Sequence, residues 1–235
     1  MARASTSPVF SPLKSLVTFT SQTSGLEKTL RLIQATSQVI GVTTASKALA
    51  TQCLTARDQL ALTRRYFRLL DFYGCFERVH FLINTPSSTE TIRSVMELAQ
   101  YTFLGLYLLL EDLTILHDMD VARVDWYHPL MTEANKFWFY ALVLSIIRCT
   151  WEVVFPSAPA TPSKASSSSS EKSEAGSQQS SPPRWPLVKR IIIDGCDLTL
   201  PGSFLGWTPV TPLQIGLGMV VSTVLAGHDV WLAQQ

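Results

Sequence analysis

Charge is what this chain has least of. Only 16% of its 235 residues are Asp, Glu, Lys or Arg, against roughly 25% in ordinary soluble domains. Nineteen basic and 18 acidic residues leave a formal net charge of +1. A near-neutral chain offers a polyanion no global basic field, so nucleic acid is not an expected partner. Cysteine is sparse and unpatterned: Cys53, Cys75, Cys149 and Cys196 show no CxxC or Cys/His spacing. Neither a zinc site nor a disulfide framework is suggested, and the four read as free thiols filling apolar space. Nucleophile–base pairings, phosphate-cradling glycine loops and metal-ligand spacings are missing too, so no catalytic residue, metal or cofactor is expected. Asp118, Asp120 and Asp125 lie near His117 and His128 without the EF-hand spacing, and read as solvated loop residues. Met1–Gly25 lacks the apolar core of a secretory signal. The ending Leu232–Gln235 is not a Ser-Lys-Leu type of address.

What the chain has in abundance is apolar side chains, 46% of it. Laid out in helix-length runs between so few charges, they point to an all-α membrane protein with amphipathic and membrane-spanning helices. Residues 1–24 read as a loose, flexible lead-in. Leu26, Leu30 and Ile33 open a helical stripe that Val39 and Ile40 extend, with Gly41 past its end. A second helix starts near Thr44 or Ser46 and reaches Ile83, where Asn84-Thr85-Pro86 stops it. Glu90–His117 follows, almost wholly apolar from Leu98 to Leu110 and then interrupted by Glu111 and Asp112. Asp118–Leu130 is a polar connection. Thr132–Phe155 is the next helix, bracketed by Trp138, Tyr140 and Trp151 as aromatics bracket a membrane–water boundary. Pro156–Pro183 holds 11 Ser and 5 Pro with no large apolar residue. It cannot bury enough surface to offset its ordering entropy, so 156–184 is expected to be a disordered linker. The Ser166–Ser170 tract could be phosphorylated. In the C-terminal anchoring region 185–235, Pro201, Gly202, Gly206, Pro209 and Pro212 mark turns, and Leu213–Ala226 is the least charged helix. Gly218, Ser222 and Ala226, spaced four apart, form a small-residue stripe suited to helix association. Three segments are therefore candidate spans, and 25–155 forms the main helical region.

The stretch Asp58–Asn84 carries the functional expectation. Stepped about 100° per residue, Arg57, Arg64, Arg68 and Arg78 fall in one arc with Asp71 and Cys75. Leu62, Tyr66, Leu69, Leu70, Tyr73 and Phe76 fall opposite. Read as one helix over 58–83, it lies in a bilayer interface, with the six apolar residues inserted and the four arginines on anionic lipid headgroups. Glu77 inside the apolar arc and Arg65 at its edge make the pattern imperfect. The rival reading is a core-facing helix of a soluble bundle. A different class is a channel for small metabolites, with Glu111, Asp112, Arg148 and Glu152 lining a polar path, since buried membrane charges often mark pathways.

An ordered set of segments resembles the peroxisomal biogenesis factor 11 (peroxin-11) family in its filamentous-fungal form. They are Lys28–Gln34, Leu62–Arg68, Tyr107–Asp112, Glu133–Tyr140, Asp194–Asp197, Pro201–Ser203, and Gly206-Trp207 through Asp229–Trp231. The resemblance runs from about Gly25 to Trp231, with the Ser-rich linker as a variable insert. It implies an integral peroxisomal membrane protein that drives elongation, proliferation and fission by inserting an amphipathic helix in the cytosolic leaflet. It further implies self-association into a homo-oligomer, a link to dynamin-type fission machinery, and both termini toward the cytosol. It transfers no catalytic residue.

Overall fold

The computed structural model describes residues 10–85, 91–155 and 184–233, and every regular element in them is an α-helix. These are α1 Phe10–Ser21, α2 Thr23–Thr43, α3 Lys47–Phe67, α4 Asp71–Asn84, α5 Thr91–Leu113, α6 Ile115–Asp118, α7 Tyr127–Val154, α8 Trp185–Phe204 and α9 Pro212–Leu232. Local chemistry sets several ends. Ser46 caps α3 by accepting the Leu49 N–H. Thr211 and Gln214 form a reciprocal capping box ahead of α9, with Pro212 at the first helical position, where its missing N–H costs nothing.

Neighbouring helices run antiparallel. Gly41 of α2 meets Cys53 and Leu54 of α3, while Arg64, in the last turn of α3, reaches back to Glu27 near the start of α2. Gly105 of α5 seats Cys75 and Phe76 of α4. Tyr107 stacks on Trp138 of α7 with centroids 5.0 Å apart, and Arg93 pairs with Glu152 at 2.8 Å. Ser145 of α7 donates to Asp194 of α8, and Phe139 meets Trp207 beyond its far end. Gly218 of α9 lies on Cys196 of α8, and Gly216 of α9 lies on Val39 of α2. So α9 closes the arrangement by packing back on α2.

The interior is unusually polar. Among the described residues, 14 polar or charged side chains are buried, against 13 hydrophobic ones. A water-soluble core reverses that balance. Meanwhile Ile33, Ile40, Ile147, Val221 and Val224 face outward. Of the three expected spans, α7 and α9 are long and apolar enough to cross a membrane, and α5 is not, because Arg93, Glu97, Glu111 and Asp112 break it up.

Four expectations change. The single helix over 58–83 is two helices, parted at Arg68–Leu70. The flexible lead-in contains α1, held where Phe19 packs on Trp231 at 5.6 Å and where Phe19's carbonyl crosses Gly25 too closely for any Cβ. The expected turn at Pro201-Gly202 is helical: Pro201 sits in the last turn of α8, fully buried, and Gly202 lies under Thr208 of the reversal that follows. Finally, α7 begins at Tyr127, inside the expected connection, where Tyr127 stacks on His117 and donates to Asp118. The Ser-rich linker lies outside the described residues.

Candidate membrane-contacting site

The break between α3 and α4 makes a knuckle. Leu70 stands in the left-handed region at φ 71°, and its N–H donates to the Asp112 carboxylate at 3.1 Å. The chain turns there because Asp112, at the end of α5, offers an acceptor that a continuing helix would not use. Tyr66, Phe67, Leu69, Leu70 and Tyr73 are all exposed around it, with Leu69 at 50%, Leu70 at 62% and Tyr73 at 67%. Arg65 pairs with Asp118, tying the knuckle to the α5–α7 turn. That turn exposes Leu113, Leu116, Met119, Val121 and Trp126. Two chain segments thus present apolar and aromatic side chains at one end of the bundle.

Of the six residues expected to insert, Tyr66, Leu69, Leu70 and Tyr73 are at this surface. Leu62 and Phe76 are half-buried, and Phe76 lies against Gly105. They line the bundle instead, because the break rotates α4 relative to α3 and dissolves the single arc.

The four arginines also separate. Arg64 donates to Glu27 at 2.7 and 2.9 Å and to Gln34 at 2.7 Å, inside the bundle. Arg68 donates to buried Glu111 at 2.9 and 3.2 Å. Carboxylates distant in sequence hold both inward, off the outer face of the helix, which corrects the expectation that they reach headgroups from a helix lying in the interface. Burial would raise the Glu27 pKa, but Arg64 and then Lys28 overcome it and hold the carboxyl at about 2. Burial pushes Arg64 down; Glu27 opposes this, and the charges of Arg31 and Arg68 add to it. Burial would likewise lower Arg65, but Glu111 and Asp118 outweigh it and raise it. Arg57 and Arg78 stay at the surface, paired with Asp58 at 2.7 Å and Glu97 at 2.5 Å.

The stripe on α9 faces its own chain. A β-carbon at Gly218 would meet the Cys196 carbonyl of α8 at 3.6 Å, and fully buried Ser222 accepts from Arg31 of α2 at 3.3 Å. Ala226 turns toward Lys28 and Ile193. The helices that this stripe admits are α2 and α8.

The proposed polar path is not assembled. Glu111 and Asp112 serve the knuckle, whereas Arg148 binds Gln100 at 3.1 Å and Glu152 at 3.3 Å. Gln100 and Glu111 are eleven residues apart on α5, about 16 Å along the helix. The four residues therefore form two separate clusters.

Glu27, Arg31 and Asp197 escaped the sequence reading, although Arg31 and Asp197 are a buried ion pair. For Arg31 the signal was present: it is a charge among Leu30, Leu32 and Ile33. Arg65, noted only as a blemish on the apolar arc, proves to be the tie to Glu111 and Asp118.

An all-α bundle with a polar interior, outward apolar side chains, two membrane-length helices and an exposed aromatic knuckle defines a helical membrane protein. Among the described residues, no group of three or more His, Cys, Asp or Glu could hold a metal ion. The family model for peroxisomal biogenesis factor 11 (PEX11) matches residues 13–231, and the chain belongs to that family. No curated protein and no solved structure matches it. Membership carries a role in peroxisome biogenesis at the peroxisomal membrane, in a family of biogenesis factors rather than enzymes.

Proposed function

We propose that this chain is an integral peroxisomal membrane protein that promotes elongation, proliferation and fission by pressing the α3–α4 knuckle into one leaflet. The observation that carries this reading is the exposure of Tyr66, Leu69, Leu70 and Tyr73 around the break between α3 and α4. Burying a Leu-sized side chain is worth about 1.5–3 kcal/mol, so these half-exposed residues together supply several kcal/mol of insertion. Inserted volume enlarges one leaflet relative to the other, and the membrane curves. Arg57 and Arg78 sit in exposed ion pairs, which are weak enough for an anionic headgroup to compete.

Helix direction constrains topology. α8 runs antiparallel to both α7 and α9, so α7 and α9 run in the same sense. With both crossing, the chain must return through α8. Its Lys189, Asp194 and Asp197 are buried against neighbours, and Arg190, in its second turn, pairs with Asp194 at 2.9 Å. The knuckle and the α7–α8 linker then lie on opposite sides. Insertion in the cytosolic leaflet requires a lumenal linker, which protease added to intact organelles reads directly. Self-association along a tubule needs a surface other than the Gly218/Ser222/Ala226 stripe. The link to dynamin-type fission machinery enters the proposal through the family alone.

The test uses the full chain in anionic proteoliposomes. Leu69→Glu with Tyr73→Glu places carboxylates where the side chains are exposed, so the fold is kept while insertion loses roughly 2–3 kcal/mol per charge. Tubulation is expected to disappear with helicity unchanged. Tubules formed as by the parent protein would sink the wedge.

A further inference from the structure

We infer that the cavity at the centre of the bundle is a binding site for a phosphate group, held by the guanidinium forks of Arg31 and Arg68. The cavity, about 320 Å³ and partly open, is lined by side chains from α2, α3, α5, α7, α8 and α9 and by Arg68 of the knuckle. That volume lies at the lower edge of the usual range for small-ligand sites, about 300–1,000 Å³. Four guanidiniums line it: Arg31, Arg64, Arg65 and Arg68. The carboxylates facing it are Glu111 and Asp197. Glu27 and Asp118 pair with Arg64 and Arg65 from behind. With those included, four cations meet four anions, so the cluster is not bare positive charge.

What the cluster lacks is acceptors. The Nε atoms of Arg31 and Arg68 are shut off from solvent and have no hydrogen-bond partner. Arg31 as a whole is only 8% exposed. A charged donor buried without an acceptor is costly, and native structures avoid it unless something occupies the place. A guanidinium presents its N–H groups in a planar fork that matches an oxyanion with several oxygens. Both arginines line the same cavity, so each brings an unpartnered Nε–H to the place a phosphate group would occupy.

The site has an approach. A second, more open cavity of about 440 Å³ shares Arg31, Arg64 and Arg68 as its inner wall. Lys28 and Ser24 stand at its rim with Glu27 and Asp71, and Phe67 of the knuckle flanks it. Four cations line this approach, Lys28 and the three arginines, against two carboxylates, and Lys28 is paired with Glu27 at 2.7 Å. The group could arrive as a free ion or as the headgroup of a lipid at the knuckle. The chemistry is the same for both. This site is independent of the wedge, since none of its arginines inserts.

The experiment takes the full chain in non-ionic detergent at constant ionic strength, replacing chloride by inorganic phosphate, or adding short-chain phosphatidic acid below its micelle concentration. Thermal unfolding and titration calorimetry report binding. A saturable rise in the unfolding midpoint is expected. Saturation by inorganic phosphate identifies the free ion as the source, and saturation by the lipid alone identifies the headgroup. Arg31→Lys with Arg68→Lys keeps a cation opposite Asp197 and Glu111 but removes both Nε–H groups. Affinity should fall about tenfold or more, while the ligand-free midpoint and helicity stay near the parent values. Arg148→Lys, a guanidinium elsewhere in the bundle, should bind as the parent does. If the double variant folds poorly, Arg31→Lys alone carries the same test. A parent protein unmoved by either ligand, or a lysine variant that binds equally well, overturns the assignment.

Discussion

Leu70 should gain stability and lose function when its side chain is removed. It holds φ 71° with a β-carbon, a conformation that costs an L-residue about 1–2 kcal/mol relative to the right-handed region. Glycine takes that conformation freely, but it gives up about 0.5–1 kcal/mol more backbone entropy on folding. The balance for Leu70→Gly is a stabilisation of up to about 1.5 kcal/mol, centred on about 0.75 kcal/mol. Little packing opposes it, because the side chain is 62% exposed. Leu70→Asn removes the same apolar group with a residue that also tolerates the left-handed region. In the membrane the balance reverses. Losing most of a leucine's burial costs about 1–2 kcal/mol, or about tenfold in partitioning. Unfolding in detergent should shift upward for both variants, while the protein density on vesicles needed for tubules rises several-fold. A destabilised protein would show that Leu70 is a packing residue. Unchanged tubulation at equal density would show that the knuckle does not insert.

Two further outcomes follow from buried contacts. Glu27 titrates at about 2 instead of 4.5. A depressed carboxyl contributes stability above its unfolded pKa and loses it as pH falls toward the folded one, here about 3 kcal/mol between pH 5 and pH 2. Glu27→Gln should remove that acid-limb slope in pH-dependent unfolding; equal slopes would refute the Glu27–Arg64 pairing. Ser222→Val should lower the unfolding midpoint by orphaning an Arg31 N–H, whereas Gly218→Ala meets only ordinary contact distance at Cys196. Crosslinking should show self-association intact in both, and an oligomer dissolved by Ser222→Val at full stability would move the stripe to an intermolecular face.

Pattern made α2, α5, α7 and α9 legible, because their apolar runs are long, and the start of α9 is also marked by a cap and a proline. The knuckle was legible only in part. Its apolar residues were visible, but an arc drawn at constant pitch cannot show that Leu70 leaves the helix. That departure depends on Asp112, 42 residues away in the chain. The same limit governs Pro201, which reads as a turn in isolation and is helical because Gly202 can lie under Thr208.

The sequence by itself determined the class: few charges, long apolar runs and an ordered family resemblance leave an all-α membrane protein of the peroxisomal biogenesis factor 11 kind. Composition and spacing are local, and they suffice for that. Tertiary structure alone decided where each charge goes. Drawn at constant helical pitch, Arg64 and Arg68 share an arc with Arg57 and Arg78, yet Glu27 and Glu111 draw them into the bundle. A buried cation must find its anion, and that anion is supplied by a helix which only the fold brings near.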